Sequence, residues 1–357
     1  YDKLKIMSQS GDGSPKAQKY LDGILKIPFG IIKSEPDLND PGKDFVEELF
    51  KKFPAFKNKP VLKQYGNNYL KIINEAVSYE PTSKLAKEYK KKMEHSRDKQ
   101  QQYLTKVGEI LEKCVHGHQL VKIQIRRLLA QWISGGQSGI VLGLEGPPGN
   151  GKTTLIKHGM AKCLVDQQGN PRPVGFIPLG GTSNGSSLSG HGYTYQGSTW
   201  GRIVDILMDC ECMNPILLFD ELDKVSLSES GREVTGILTH LTDSTQNDEY
   251  YDKYFEGVPL DLSKAIMIFT FNDRSKVDPI LLDRMTIIET QPLSIEDKKV
   301  VTHKHLIPQI TDLVDLQPEE ITISDEEIEL LINDYTHEAG ARQLKKLLES
   351  LIQELNL

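Results

Sequence analysis

The sequence predicts an α/β protein: a parallel sheet flanked by helices and built on a phosphate-binding loop, with an all-helical C-terminal lid and a helical N-terminal region. Three observations carry this. Residues Gly146–Thr153 read Gly-Pro-Pro-Gly-Asn-Gly-Lys-Thr, which fits G-x-x-x-x-G-K-[ST]. Short apolar runs at 139–144, 174–179, 215–219 and 265–271 alternate with helical patterns, as in a parallel sheet covered on both faces. From Ser294 onward the chain reads all-helical; its apolar spacing is that of helices.

The chain opens with a polar Ser/Gly/Asp stretch, Ser8–Ser14, and then an amphipathic helix at Pro15–Lys26. Tyr20, Leu21, Ile24 and Leu25 share one face of it, and Pro28 ends it; proline cannot continue a helix. From Ile31 the composition changes. Pro36 and Pro41 frame an acidic loop, and a helix reads at Asp44–Phe53. Lys84–Lys99 is a long helix carrying Lys84, Lys87, Lys90, Lys91, Lys92, Arg97 and Lys99 among Glu88, Glu94 and Asp98. Such a run usually only solvates a face, with an acidic partner as the alternative. Leu111–Ile133 reads as a further amphipathic segment, leading through Gly135-Gly136 to the strand before the phosphate loop.

After the loop, Leu155, Ile156, Met160, Cys163 and Leu164 mark a helix over Thr153–Val165. A strand at Val174–Leu179 precedes a Gly/Ser/Tyr-rich loop, Gly180–Gly201, and a helix from Arg202 to about Cys212. Strands at Pro215–Phe219 and Ala265–Phe271 end in Asp220-Glu221 and Asn272, and Ile287-Ile288 marks a short last strand. Helices follow at Ile295–His305, Asp325–Tyr335 and Ala339–Leu355, with Ile321–Ile323 as a short extended piece. The expected division is an N-terminal helical segment 1–30, a lysine-rich helical insertion 31–109, an α/β nucleotide-binding domain 110–293 and a helical lid 294–357.

A chain of 357 residues is long for one core, so several domains are expected. Apolar content of 38% and charged content of 26% suit a globular protein. A net charge of -7 and a pI near 5.8 argue against a dedicated nucleic-acid binder, whose domain is usually basic. No apolar run approaches the roughly 18 residues that span a membrane. Cys114, Cys163, Cys210 and Cys212 form no C-x-x-C pair, so they read as reduced thiols of a cytoplasmic protein. The chain opens at Tyr1 without a methionine, which leaves targeting unread.

In a phosphate loop, glycines let backbone N–H groups converge on a triphosphate, and the next helix presents the positive end of its dipole. Gly146, Pro147, Pro148, Gly149, Asn150, Gly151, Lys152, Thr153 and Thr154 are therefore the expected binding residues for ATP. Lys152 is expected on the β- and γ-phosphates, and the Thr153 hydroxyl on Mg²⁺. Ile216–Glu221 has the form of a Walker B strand. Asp220 would complete the Mg²⁺ shell, and Glu221 would polarise the attacking water. Asn272 can orient the same water, although alone it would read as a turn former. By periodicity, Arg284 and Arg342 read as surface ion-pair formers, and Tyr193 and Tyr195 as packing residues.

Further runs follow in a fixed order: Leu179-Gly180-Gly181, Ser189–Gly197, Gly201-Arg202, Asn214–Lys224, Tyr254 with Val258–Ser263, Leu281–Met285, His305–Pro308 and Tyr335–Arg342. On these, from about Pro15 to its end, the chain resembles the ATPase module of Lon proteases, a branch of the AAA+ ATPases. The resemblance implies sensor 1 at Asn272, an arginine finger supplied to a neighbouring subunit at Arg284, and sensor 2 at Arg342. It implies a homohexameric ring and a pore loop at Gly192–Gly197, where Tyr195 and Gln196 meet a translocating polypeptide. An aromatic there engages many side chains without reading sequence.

The chain departs from the family at Gly192-Tyr193, where Arg-Arg is usual, and at Gln196, where an apolar residue is usual. The run Leu241–Asn247 is also altered, and 31–109 has no clear counterpart. The resemblance implies a Ser–Lys peptidase domain after the lid, and no such site reads within these residues. A Lon-like remodelling ring without peptidase, a nucleic-acid-associated motor contacting through the lysine-rich helix, and a nucleotide-stabilised structural ring are the alternatives.

Overall fold

The structure is a computed structural model that describes residues 14–35, 41–66, 68–135, 139–182, 184–225, 229–314 and 320–355. The polar opening stretch up to residue 13, Pro36 and Gly136 lie outside the described residues. The chain divides into two compact units, one of residues 1–34, 111–122 and 138–357, the other of 35–110 and 123–137.

The first unit is organised by a parallel sheet. Its strands are β1 (Ile140–Glu145), β2 (Val174–Pro178), β3 (Ile216–Asp220), β6 (Ile266–Phe271) and β7 (Thr286–Glu289), in the order β2-β3-β6-β1-β7. A short antiparallel hairpin, β4 (Tyr250–Tyr251) with β5 (Pro259–Leu260), stands apart from it. Every residue of β6 is buried, and so is β3 until Asp220. Continuous apolar strands of this kind pack on both faces, which is why they read as unbroken hydrophobic runs. Phe219 and Phe269 stack at 4.6 Å across neighbouring strands. Register aligns Glu145 with Phe271 and with Glu289, so the carboxyl ends of β1, β6 and β7 finish level. That edge, beside the strand from which the chain crosses to the far side of the sheet, is where α/β folds place ligands.

The C-terminal part of this unit is helical, as expected. Its core is Leu306, Ile310, Ile328, Ile332, Ala341, Leu344, Leu348 and Ile352. Two of its helices start with reciprocal capping boxes, Ser294 with Asp297 and Ser324 with Glu327, each satisfying N–H groups the helix cannot pair internally.

Several expectations change. The segment 111–133 is not continuous: one helix ends at Cys114, Gly117 and His118 take left-handed φ of 77° and 55°, and the next starts at Gln119. Ile321–Ile323 forms no strand. The helix expected from Ala339 begins at Arg342, because Gly340 and Ala341 are spent on a contact described below. The loop 180–201 contains a helical turn at Ser186–Ser189, and the β4–β5 hairpin was not read from sequence at all.

The second unit is all-helical. Gly42–Lys52, Tyr69–Ser78 and the first part of the 35-residue helix Glu80–Cys114 surround Val46, Leu49, Phe56, Ile72, Ile73, Ala86, Tyr89 and Met93. Along the long helix, Thr82, Ala86, Tyr89, Met93, Gln100, Tyr103 and Val107 are buried, a three-and-four spacing that keeps one stripe inward. Lys84, Lys87, Lys91, Lys92, Arg97 and Lys99 are exposed, on the face opposite the buried stripe. Among the described residues no helix is long and apolar enough to cross a membrane.

The sheet edge offers a direct test. A Cβ on Gly175 in β2 would overlap the side chain of Ile206, on the helix Arg202–Cys210. Gly175→Ala is expected to cost about 1–3 kcal/mol through overpacking, read as a lower urea midpoint with an unchanged slope.

Candidate functional site

The loop after β1 is shaped by its glycines and held from outside. Gly149 and Gly151 have φ of 77° and 92°, a region open to glycine at no steric cost. The Asn150 amide donates to Thr290 Oγ1 at 2.9 Å, and Thr290 Oγ1 donates on to the carbonyl of Glu145 at 2.8 Å. His118 Nε2 lies 2.5 Å from the Asn150 carbonyl. A carbonyl only accepts, so Nε2 carries the hydrogen. Burial lowers the His118 pKa, which keeps the ring neutral. The left-handed turn at 117–118, missed in the sequence, is what brings this imidazole under the loop.

Lys152 is buried, and its ammonium donates to the carbonyls of Gly146 at 2.7 Å and Pro147 at 2.8 Å. Burial pushes its pKa down to about 8, against the pull of Asp220 and Asp223. An ammonium held on desolvated ground has much to gain from a polyphosphate, since attraction between charges grows as water is excluded.

Facing it, β3 ends at Asp220, and Glu221 takes a left-handed backbone with φ of 62°. For a residue with a Cβ that conformation costs about 1–2 kcal/mol, which the surroundings must over-determine. Thr270, buried in β6, does part of this: its hydroxyl donates to Asp220 Oδ1 and accepts the N–H of Glu221 at 3.4 Å. The Glu221 carboxylate accepts from Lys224 at 2.7 Å and fills the space a Cβ on Gly180 would need.

The lid closes the site from the other side. Ala341 N–H donates to the Gly149 carbonyl at 3.0 Å, and a Cβ on Gly340 would lie 2.5 Å from Gly149 C and Pro148 O. The Glu338 carboxylate accepts from the N–H groups of Arg342, Gln343 and Leu344 at 3.1, 2.6 and 2.9 Å, which fixes where the last helix starts. Lys298 donates to the Glu338 carbonyl.

Between these elements lies a cavity of about 320 Å³. Pro148 to Thr154, Asp220, Glu221, Asn272 and Arg342 line it, together with Thr270. Val115, Leu293, Val301 and Leu306, with His116 and His305, supply an apolar and aromatic lining suited to a nucleobase. His116 is also paired with Asp297 at the start of a lid helix, 2.8 Å away. The donor set fits a magnesium nucleotide: a hydroxyl and a carboxylate for a hard cation, an ammonium and an arginine for phosphates. Sequence reasoning missed Val115, His116, His118, Thr270 and Thr290. A signal existed for two of them, the glycine interrupting 111–133 and the one polar residue in the apolar run of β6.

Other candidate residues lie elsewhere. Arg284 does not line this cavity; its guanidinium donates to Asp243 at 2.7 Å and to the Thr239 carbonyl at 2.8 Å. Tyr195 and Gln196 are exposed, Tyr195 at 70%. Tyr193 is not: its ring packs edge-on to Tyr20 and Tyr254 at 5.2 and 5.5 Å. For Tyr193, packing is the reading the geometry gives.

Two family models match the chain. Residues 142–293 match the ATPase family associated with various cellular activities (AAA), and residues 314–355 match the Lon protease AAA+ ATPase lid domain. The Lon protease homolog of Acanthamoeba polyphaga mimivirus is 34% identical over 267 residues, 74% of this chain and 25% of that protein. The Lon protease of Clostridioides difficile (strain 630) is 31% identical over 350 residues, 95% of this chain and 42% of its own length. The mitochondrial Lon protease homolog of Yarrowia lipolytica is 34% identical over 253 residues, 71% of this chain and 21% of its own. The chain thus spans less than half the length of these relatives.

Two measurements test the site. Thr270→Val removes the donor to Asp220 and the acceptor for Glu221, and a hydrogen bond to a charged group contributes about 1.5–3 kcal/mol. ATP turnover is expected to fall by about tenfold or more, with nucleotide affinity within a few-fold of the parent and Thr270→Ser close to normal. Secondly, nucleotide phosphates favour the charged form of Lys152, and the free protein loses that charge above about pH 8. Affinity for a fluorescent ATP analogue is therefore expected to be flat just below pH 8 and to weaken by up to about tenfold per unit above it. Lys152→Met should bind weakly and without that slope.

Proposed function

The chain belongs to the Lon-family AAA+ ATPase modules, and from that premise we propose that it couples ATP hydrolysis to the translocation and unfolding of polypeptide in a homohexameric ring. The polypeptide would pass to a protease activity of the kind for which the chain's Lon relatives are named. The observation that carries the reading is the convergence of Lys152, Thr153, Asp220, Glu221, Asn272 and Arg342 on one cavity at the carboxyl edge of the sheet.

In that cavity the loop N–H groups and Lys152 bind the β- and γ-phosphates. Thr153 and Asp220 would hold Mg²⁺, which when bound neutralises charge on the β- and γ-oxygens. Glu221 accepts the proton as the oxygen of water bonds to the γ-phosphorus and the bond to the β–γ bridging oxygen breaks. To do so its carboxylate leaves Lys224, with which it is paired at 2.7 Å. Asn272 orients that water, and Arg342 brings the lid's charge to the phosphates.

Arg284 acts in trans. Its pairing with Asp243 and Thr239 presents a guanidinium that its own cavity does not use, and an arginine supplied by a neighbour cancels charge developing on the transferred phosphoryl group. Hydrolysis then requires the ring. Tyr195 and Gln196, exposed on the loop 190–201, contact the polypeptide. Cys114, Cys163, Cys210 and Cys212 form no disulfide among the described residues, which suits a reducing compartment; the cytoplasm is the placement we propose, with the nucleus or an organelle matrix as the alternatives.

Steady-state ATPase of the chain and of Glu221→Gln, with and without casein, tests this. Turnover is expected to rise with casein and to fall by about 100-fold or more in Glu221→Gln, since the base has no neutral substitute. Turnover indifferent to polypeptide would sink the translocation reading and send the search to nucleic acid. Nucleotide binding without turnover would leave a ring held together by nucleotide.

A further inference from the structure

The exposed loop that carries Tyr195 is braced by a part of the chain remote from it in sequence. Its neck is closed by His191 N–H donating to the Thr199 carbonyl at 3.0 Å and by Lys253 N–H donating to the Ser189 carbonyl at 2.7 Å. Asp252, fully buried, accepts the N–H of Gly201 at 2.8 Å from below. Its crown is held from the N-terminal helix, Ser14–Lys26. Lys16 donates to the carbonyls of Thr194 at 3.1 Å and Tyr195 at 3.2 Å, and Lys19 donates to the Ser198 carbonyl at 3.1 Å. The Lys16 ammonium also stands 4.9 Å from the centroid of the Tyr193 ring.

The contact is continuous along the helix. Lys16, Lys19, Tyr20 and Gly23 fall at i, i+3, i+4 and i+7, which is one helical face. Tyr20 meets Tyr193, Tyr254 and Phe255 with ring centroids 5.2, 6.0 and 5.3 Å apart. At Gly23 a Cβ would lie 2.8 Å from Trp200 and 2.9 Å from Phe255, so the helix backbone rests directly on the aromatic cluster. Trp200, at the end of the loop, stacks on Phe255 at 5.7 Å. None of these residues lines the nucleotide cavity.

We propose that the helix Ser14–Lys26 is the brace that sets the polypeptide grip, with Lys16 as its principal positioning residue. By holding the carbonyls of Thr194 and Tyr195, Lys16 fixes the backbone from which the Tyr195 ring projects into solvent. Charged donors make the stronger hydrogen bonds, and a loop with Gly192 and Gly197 on either side of its tyrosine has little stiffness of its own. Displacing the helix therefore loosens the grip without touching the ATP chemistry. This rests on Tyr195 being the polypeptide contact.

The test compares Lys16→Met, Lys16→Met with Lys19→Met, Lys16→Arg and Tyr195→Ala in the casein-stimulated ATPase of the full 357-residue chain. The double variant, which removes all three lysine hydrogen bonds to the loop, is expected to raise the casein concentration for half-stimulation by about tenfold. Its basal turnover should stay within about twofold, and Lys16→Arg should recover most of the stimulation. Normal half-stimulation in the double variant, while Tyr195→Ala loses its response, would overturn the brace and leave the grip intact. Full stimulation in Tyr195→Ala would overturn the grip, and the brace with it. A readout independent of turnover is Trp200 fluorescence in a Trp132→Phe background. Acrylamide quenching should rise when the two lysines are replaced, and unchanged quenching would also overturn the proposal.

Discussion

Backbone meets backbone where Gly149 of the phosphate loop touches Gly340 of the lid, and the nucleotide cavity depends on that contact. A Cβ on Gly340 would lie 2.5 Å from two backbone atoms that cannot move aside, and the Ala341–Gly149 hydrogen bond of 3.0 Å locks the approach. Three consequences follow from one close approach. Arg342 is carried to the edge of the loop, the first turn of its helix is set by Glu338, and the apolar lid residues Leu293 and Leu306 form a wall of the cavity. On the opposite side the loop is tied through Asn150 to Thr290 and His118. The loop is thus held between core and lid before any ligand arrives, which is the preorganisation that phosphate chemistry needs when positioning supplies most of the catalysis.

The acidic half of the site is held by different means. Glu221 stands on a left-handed backbone, next to a glycine that leaves room for its carboxylate, with Thr270 against its N–H and Lys224 on its oxygen. The strain belongs to the acid assigned to the water, while Asp220, on the regular end of β3, is fixed by the buried Thr270 hydroxyl. Strain of this kind persists only where surrounding contacts outweigh it, and Thr270 and Gly180 supply those contacts from two different strands' ends.

What could be read from the sequence was what is local. The phosphate loop, the Asp220-Glu221 strand end and Asn272 each sit at the junction of an apolar run and a turn, so spacing alone locates them. Thr270, Thr290 and His118 act through pairings 50, 140 and 32 positions away, which no periodicity records. At 111–133 the apolar spacing of an amphipathic helix continues across a turn, although Gly117 breaks the helix that spacing describes. Tyr193 and Tyr195, two apart in sequence, read alike. They separate only because Tyr20, far upstream in the sequence, claims one ring and leaves the other in solvent.

The same stretch of chain serves both ends of the proposed cycle. It begins at Gly180, whose Cα faces the Glu221 carboxylate, and reaches the grip after a helical turn at Ser186–Ser189. Between them Gly185 N–H donates to Glu233 at 3.2 Å, and Glu233 pairs with Lys253, whose own N–H holds the loop's neck at Ser189. In the proposed cycle the Glu221 carboxylate would leave Lys224 to meet water, beside the root of the segment that carries Tyr195. Spatial continuity is not by itself coupling. It does mean that the proposed hydrolytic acid and the proposed polypeptide contact adjoin one short, hydrogen-bonded segment, with the N-terminal helix against its far end and the sheet edge at its near one.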